Sequence, residues 1–451
     1  MDRIDRYKIV SVAEGTGAGL VYRAFDELLN KTVAMKLYRN ENKDHRDRLL
    51  ARLNEISTKI GSSHRNLATA FDWGEDNEVV YAVTDDSDSR TLSDVMDKSA
   101  GVDIVEKLSY MMQTAGALRY AHSTGITHGH LSPSNILVLS DGQIKITDLG
   151  IGSQFAKGGK GGNSPTKLGP LIQTLAYQAP EQFEDVPGPA SDIFAFGVIF
   201  FHLLTGEHPF QKSGNKNLGM LVQNILRGNP PPMKVNGATS PPSLEKLVLR
   251  TMQKAPKDRY STFEEIETDL NPILSQFESE WAETRVKECA RLFEEGKTED
   301  ARNCLLNVLR RTPSAAAATS LRRKIQEVTQ SPEARERCEK LLQTGRWAFE
   351  QQEYEQAIED FNAALDLDGL AIEASMLKDE AILILARLNR VHFFLEQGLR
   401  EAHAKHLVQA ARMADRFLSE TIDLLPLANM PSQSAIKIQE LIEAIHTIGA
   451  D

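Results

Sequence analysis

Patterning runs in one direction along this chain of 451 residues, with strand-like runs first and helical spacing after. Residues 7–12, 21–25, 32–38 and 79–84 are short apolar runs separated by turn signals, which predicts strands of a small sheet. Among them Leu49, Leu53, Ile56 and Ile60 recur at helical spacing, so one helix with an apolar face crosses this region and ends at Gly61. From about residue 91 to 276 the pattern is mainly helical, with loops at 158–162, around Pro187 and at 230–242. Beyond Ser275 only helical spacing remains. The fold class is therefore α+β followed by an all-α region, and the length implies two or three domains.

Charge and cysteine use narrow the function classes. A net charge of -11 argues against a nucleic-acid partner, which would favour Lys and Arg gathered on one surface. Cys289, Cys304 and Cys338 lack metal-ligand spacing, so neither a disulfide framework nor a zinc site is expected, and a reducing cytoplasm fits. The start, Met1-Asp2-Arg3-Ile4-Asp5, lacks the apolar core of a signal peptide, and no stretch approaches the roughly 20 apolar residues of a membrane span. The strongest apolar run, 193–204, is short and interrupted by Gly197 and His202, which predicts a helix buried in a globular domain.

Several motifs follow one another in order: Val33-Ala34-Met35-Lys36, His128-Gly129-His130-Leu131-Ser132-Pro133-Ser134-Asn135, Asp148-Leu149-Gly150, Ala179-Pro180-Glu181, Asp192 with Gly197, and Arg259. Over its first 275 residues the chain resembles the protein kinase family, of the bacterial Ser/Thr type. The resemblance implies a two-lobed fold over residues 1–276, with a small lobe at about 1–86 and a large lobe at about 87–276. Lys36 would contact the α and β phosphates of ATP, steadied by Glu55 on the neighbouring helix. Asp148 and Asn135 would offer Mg²⁺ the hard oxygen ligands it prefers. Val21 and Ala34 would roof the adenine, Leu137 would floor it, and residues 84–87, beginning with Thr84 and Asp85, would link the lobes. Alternatively, the same apolar residues would be ordinary core in an empty cleft. His128 would pack beneath the Asp148 turn, and Glu181 with Arg259 would form a structural ion pair.

Departures from the family pattern fall where chemistry is done. At the three positions of the glycine loop stand Glu14, Thr16 and Gly19, with Gly15 and Gly17 shifted by one. Side chains at Glu14 and Thr16 obstruct the approach of backbone amides to phosphate, although three glycines in five residues can re-register. In the catalytic loop Gly129 replaces Arg, His130 replaces the base Asp, and Ser132 replaces the Lys that contacts the transferred phosphate. Losing that positive charge removes stabilisation where negative charge develops. His130 is either a spectator or a general base with an ordinary pKa of about 6.5. Lys59, four residues after Glu55, stands where active kinases place an apolar residue.

The last third resembles tetratricopeptide repeats, or TPRs, helical hairpins with a period of about 34 residues. Gly345, Ala348, Tyr354, Ala357, Phe361 and Ala364 match the small and aromatic positions of one unit, and Gly296, Ala301, Leu305 and Pro313 those of a weaker one. The expected domains are 280–332, a hairpin and linker, and 333–451, with further helices at 372–395, 400–425 and 432–448. Such stacks present surfaces to protein partners or serve as packing platforms. Two functions compete: an ATP- and Mg-binding pseudokinase that signals or scaffolds through its helical tail, and a weak or unconventional Ser/Thr kinase. A remote third is transfer of another part of ATP to protein.

Overall fold

The computed structural model describes residues 2–12, 20–27, 30–39, 42–60, 64–85, 89–97, 101–151, 175–184, 187–211, 217–235, 238–312 and 315–403. The chain divides into two units, Met1–Ile273 and Leu274–Asp451.

A six-stranded antiparallel sheet opens the first unit. It is built from β1 (Arg3–Ile4), β2 (Tyr7–Val12), β3 (Leu20–Asp26), β4 (Lys31–Arg39), β5 (Asp72–Asp76) and β6 (Val79–Asp85), in the order β1-β2-β3-β4-β6-β5. The four apolar runs became β2, β3, β4 and β6. The strand β5, Asp72-Trp73-Gly74-Glu75-Asp76, was not foreseen because all of its residues but Trp73 are poor strand formers; its register against the buried β6 holds it in place. Along β4, Val33, Met35 and Leu37 are buried on one face, while Ala34, Lys36 and Tyr38 alternate onto the other. Helix α1 (Lys43–Ile60) buries Leu49, Leu53, Ile56 and Ile60 along one stripe, as their spacing requires. Gly61, its expected end, lies outside the described residues.

Helices dominate the rest of this unit. They include α2 (Leu92–Asp97) and α3 (Ile104–Ser123), whose start is fixed by a reciprocal cap. Asp103 accepts from the Glu106 amide at 2.9 Å, and the Glu106 carboxylate accepts from the Asp103 amide at 3.2 Å. Three short strands, β7 (Ser89–Thr91), β8 (Ile136–Leu139) and β9 (Ile144–Ile146), flank the catalytic-loop motif. Helix α4 (Pro189–Thr205) is apolar around its circumference and buried, each large side chain contributing about 1.5–3 kcal/mol of burial. Gly197 lets α4 approach α6 (Pro242–Thr251), since a Cβ there would stand 2.0 Å from the Thr251 hydroxyl. Between these two helices in sequence lie α5 (Leu218–Arg227) and a two-stranded ribbon, β10 (Lys234–Val235) with β11 (Ala238–Thr239).

The second unit is helical in its described residues. The long helix α7 (Phe263–Glu294) runs from one unit into the other in sequence and is followed by α8 (Thr298–Arg311) and α9 (Ala316–Thr329). Ala282, Val286, Ala301, Leu305, Ala318 and Ile325 share one buried cluster. Gly296 turns the chain between α7 and α8 at a φ of 77°, a left-handed geometry that glycine adopts without strain. This turn overturns one expectation: Cys289 on α7 and Cys304 on α8 form a disulfide, with Cα atoms 5.5 Å apart. Reading linear spacing alone missed that a hairpin brings them together. Cys338 is buried and free.

A second buried cluster joins α10 (Pro332–Glu350), α11 (Tyr354–Leu367) and the start of α12 (Ile372–His403). Gly345 meets the Phe361 ring so closely that an added Cβ would lie 2.7 Å from it. Ala348, Ala357 and Ala364 are buried around that ring. The stretch 314–332, expected as a helix with an irregular linker, contains α9, and α10 begins at its last residue. The expected segment 372–395 belongs to the longer α12, whereas 432–448 lies outside the described residues, as does 400–425 beyond His403.

Candidate nucleotide and metal site

The loop carrying residues 128–135 is held by a buried carboxylate. Asp192, in the first turn of α4, accepts the amides of His128 and Gly129, each at 2.8 Å, and lies 2.8 Å from His122 Nε2. Gly129 has a φ of 71°, and its carbonyl accepts from Gln182 Nε2 at 3.0 Å. The His128 ring is fully buried, with Nε2 3.0 Å from the Thr147 carbonyl and Nδ1 accepting the His130 amide at 3.2 Å. Those partners require a proton on Nε2 and none on Nδ1, so the ring is neutral, in line with burial lowering its pKa. His128 therefore packs beneath the Asp148 turn, as the resemblance implies.

The Asn135 carbonyl accepts the amide of Thr147, the residue before Asp148, at 2.9 Å. The Asn135 amide nitrogen donates to the His130 carbonyl at 2.9 Å, which leaves its side-chain oxygen as the atom available to a hard cation. Asp148 is buried at a φ of 60°. Its carboxylate accepts from Lys36 Nζ, and burial together with the nearby Asp148 charge holds the Tyr38 hydroxyl well above its ordinary pKa. Among the described residues no group of three His, Cys, Asp or Glu could hold a metal. Two oxygen donors of this kind would suit an ion that completes its shell with phosphate and water, as Mg²⁺ does.

The expected Lys36–Glu55 pair is not made. Glu55 Oε2 pairs with Arg52 Nη1 at 2.6 Å and Oε1 with Lys59 Nζ at 2.8 Å. Hydrogen bonds from Lys59 and then Arg52 hold the Glu55 carboxyl below its ordinary pKa. The reason is local: α1 places cations three residues before and four after Glu55, the two spacings that meet on a helix surface. Lys36 is paired instead with Asp148. Arg52 also donates from Nε to the Gly150 carbonyl at 3.1 Å, tying α1 to the Asp148-Leu149-Gly150 turn. A Cβ on Gly150, whose φ is 69°, would come within 2.7 Å of Arg52 Nη2.

His130 is shifted well away from its ordinary behaviour. Burial, the neighbouring His128 and the charge of Lys36 push its pKa down to about 4, against an opposing pull from Asp148. It is neutral near pH 7. Its proton affinity in this setting matches that of an ordinary aspartate, about 3.9, but without the negative charge.

Strand register gathers the residues expected around adenine. Val21 opposes Lys36, and Ala34 opposes Thr84, so with Lys36 these side chains share one face of the sheet. Asp85 opposes Val33 on the other face and binds Lys31 Nζ at 2.7 Å, so its carboxylate is not brought to the group. Leu137 is half-buried on β8, its neighbours Ile136 and Val138 being the buried ones. Gly15, Gly17 and Gly19 lie outside the described residues, together with Glu14, Thr16 and residues 86–87. Tyr38 and Arg52 were not singled out from the sequence. Tyr38 stands two residues after Lys36 on a strand, and that period-two spacing was signal enough to place it beside Lys36.

Away from this site, Arg259 forms a two-pronged pair with Glu181 at 2.7 and 2.8 Å. Its remaining donors reach the carbonyls of Gln253, Lys254 and Ala190 at 2.7, 2.9 and 2.7 Å. Burial alone would raise the Glu181 pKa, but hydrogen bonds and charge from Arg259 prevail and lower it.

Comparison with known proteins agrees with the geometry. The pattern of the protein kinase domain matches residues 9–270. A probable serine/threonine-protein kinase of Clostridium acetobutylicum is 28% identical over 293 residues, 64% of this chain and 43% of that protein. Serine/threonine-protein kinase PrkC of Bacillus subtilis is 29% identical over 266 residues, 59% of this chain and 40% of its own length. Probable serine/threonine-protein kinase PknB of Lactococcus lactis is 31% identical over 269 residues, 59% of this chain and 42% of that protein. The chain thus spans under half the length of these relatives.

Proposed function

The chain belongs to the protein kinase family, and on that premise we propose that it is a nucleotide-binding pseudokinase, a signalling or scaffold module whose own phosphoryl transfer is impaired. The observation that carries this reading is His130. A half-buried, neutral imidazole with a pKa of about 4 occupies the base position, and Ser132 brings no charge to the phosphate. Removing one such stabilising group typically costs about 10²–10³ in rate. Lys36, Asn135 and Asp148 persist, and these residues would hold ATP and Mg²⁺, the ion neutralising phosphate charge. Calorimetry of Mg·ATP binding tests this. Binding is expected in the wild type and in His130→Ala, and lost in Lys36→Ala or Asp148→Ala; no binding in the wild type overturns the reading.

One observation favours the second reading, a weak or unconventional Ser/Thr kinase. His130 retains the basicity of the aspartate it replaces, so proton transfer is not what the loop has lost. The missing Lys charge then limits the rate, and transfer is slow rather than absent.

We assign residues 1–276 to the kinase-like domain, with lobes at about 1–86 and 87–276, and 280–332 and 333–451 to TPR-like helices that bind a protein. The close approach of Gly345 to Phe361 supports the repeat assignment. A groove of about 570 Å³ beside α10 and α11 supports the binding role. Trp347 in that groove is 59% exposed, and Arg337 and Lys340 make no ion pair among the described residues. These side chains fit a partner segment carrying acidic groups and one apolar residue. Charge reversal at Arg337 and Lys340 in the full chain is expected to lose partners that the wild type captures; an unchanged set refutes the assignment.

No helix among the described residues is long and apolar enough to cross a membrane. A cytoplasmic location is part of the proposal, and the Cys289–Cys304 disulfide opposes it, because such bonds persist mainly in oxidising compartments. Thiol labelling of the protein in freshly opened cells decides: reactive Cys289 and Cys304 support the cytoplasm.

A further inference from the structure

The two residues of the Cys289–Cys304 bond differ in how they can be reached. Cys289 on α7 is fully buried in the cluster that includes Val286 and Leu305, whereas Cys304 on α8 packs against that cluster from its edge and is half-buried. Thiol–disulfide exchange begins with a thiolate attacking one sulfur while the other leaves, so access decides which sulfur is attacked. Of the two residues, Cys304 is the one within reach of a dissolved thiol.

The hairpin also has a core that does not depend on the bond. Val286 of α7, Leu305 and Val308 of α8, and Ala318 and Ile325 of α9 are buried together. Their packing holds α7 against α8 after the bond opens, so the two thiols remain neighbours and can close again. Cys338 does not compete for either sulfur: it is 6% exposed in the other cluster, and burial raises its pKa.

We propose that Cys289–Cys304 is a reversible thiol–disulfide switch that sets how firmly the α7–α8 hairpin is held, opened through Cys304 by a dithiol reductant and closed by a small-molecule disulfide. In opening, a thiolate of the reductant bonds to Cys304 Sγ, the bond between the two cysteines breaks, and Cys289 leaves as a thiolate that takes up a proton. The reductant's second thiolate then attacks its own sulfur in the mixed disulfide, and Cys304 leaves as a thiolate that is protonated in turn. The protein has gained two electrons and two protons, and the reductant has become a disulfide. Closing runs the other way: Cys304 attacks the small disulfide and releases one thiol, and Cys289 displaces the second. The state of the bond is felt beyond the hairpin, because Leu370 and Ile372 belong to the same core while Ala371 and Ala374 belong to the core around Phe361.

The test uses the full chain and needs no nucleotide. The protein is treated with dithiothreitol without denaturant, alkylated and mapped by mass spectrometry, and its melting is followed by calorimetry. Cys289 and Cys304 are expected to be alkylated and Cys338 spared. The helical unit should still melt cooperatively, at a temperature lower by about 6–12 °C, the loss expected when a bond between residues 15 apart is opened in a unit of this size. Glutathione disulfide should restore the original value. Opening only in urea that unfolds the unit, loss of cooperative melting on reduction, or an unmoved melting temperature each overturns the switch. Two variants locate the attack: Cys289→Ser, which keeps Cys304, should form a mixed disulfide with glutathione disulfide at least about tenfold faster than Cys304→Ser, which keeps Cys289. Equal or reversed rates overturn entry through Cys304. The reduction experiment stands on the wild type alone, so a variant that fails to fold does not remove the test. Amide exchange at residues 370–374 should quicken in the reduced protein, and unchanged exchange there refutes the coupling between the two cores.

Discussion

Two regions of the first unit have had opposite fates. Around Asp192, Glu181 and Arg259, the buried polar groups the family uses as scaffolding are present and fully engaged: Asp192 holds two loop amides, and Arg259 reaches one carboxylate and three carbonyls. Around Lys36, Glu55 and Asp148, the residues persist but the pairing has changed. Glu55 is taken by cations of its own helix, and Lys36 by Asp148. The difference teaches that identity and arrangement are separable. Arg259 has a fully buried side chain and cannot lose its partner without leaving groups uncompensated, whereas Glu55, 41% exposed, can exchange partners at small cost.

The largest effect expected from that contrast lies in the scaffold. Arg259→Ala leaves the 22% exposed Glu181 with the Ser191 hydroxyl but no cation, and should lower the unfolding free energy by about 3 kcal/mol, the low end for a buried pair, read by urea denaturation. A loss under about 1 kcal/mol would remove the distinction between the regions.

Acid separates them next. The pKa of His202 is lowered by burial to about 4 and that of His208, by burial and the neighbouring His202, to about 3, while His130 in the site sits at about 4. Each binds a proton more readily when unfolded, near pH 6.5, than when folded. Stability should therefore be complete above about pH 6.5 and fall steadily as pH drops toward 4. His208→Asn should flatten that decline more than His130→Asn, because its folded value is displaced further. Equal flattening would show that the two histidines experience similar burial.

The smallest effect belongs to the rewired face. Arg52→Met together with Lys59→Met removes two partly exposed pairs, each worth about 0.3–0.5 kcal/mol, and so should hardly change stability. What should change is the partner of Glu55. Freed of local cations it becomes available to Lys36, and Mg·ATP affinity measured by calorimetry is the sensitive readout. A stability loss above about 2 kcal/mol would mean that the Arg52 contact to Gly150 is structural.

How much was legible follows the same division. The stripe of Leu49, Leu53, Ile56 and Ile60 and the buried run of α4 are periodic, and periodicity is a property of sequence alone. The Glu181–Arg259 pair was legible through motif order. Three features were not. The strand β5 forms through pairing with β6, which no local propensity of Asp72-Trp73-Gly74-Glu75-Asp76 announces. The Glu55 pairing was missed because the family pattern outweighed the i−3 and i+4 cations in plain view. The Cys289–Cys304 bond depends on a hairpin in which Gly296 was matched to a repeat position, but whose geometry was not followed to the two sulfurs.

The most direct measurement is transfer of labelled γ-phosphate from Mg·ATP to the purified protein and a generic acceptor, with Asp148→Ala as the control for contaminating kinase. The pseudokinase reading predicts no incorporation above that control. Incorporation by the wild type that disappears in Asp148→Ala would contradict it and make this a working kinase with His130 in the place of its base.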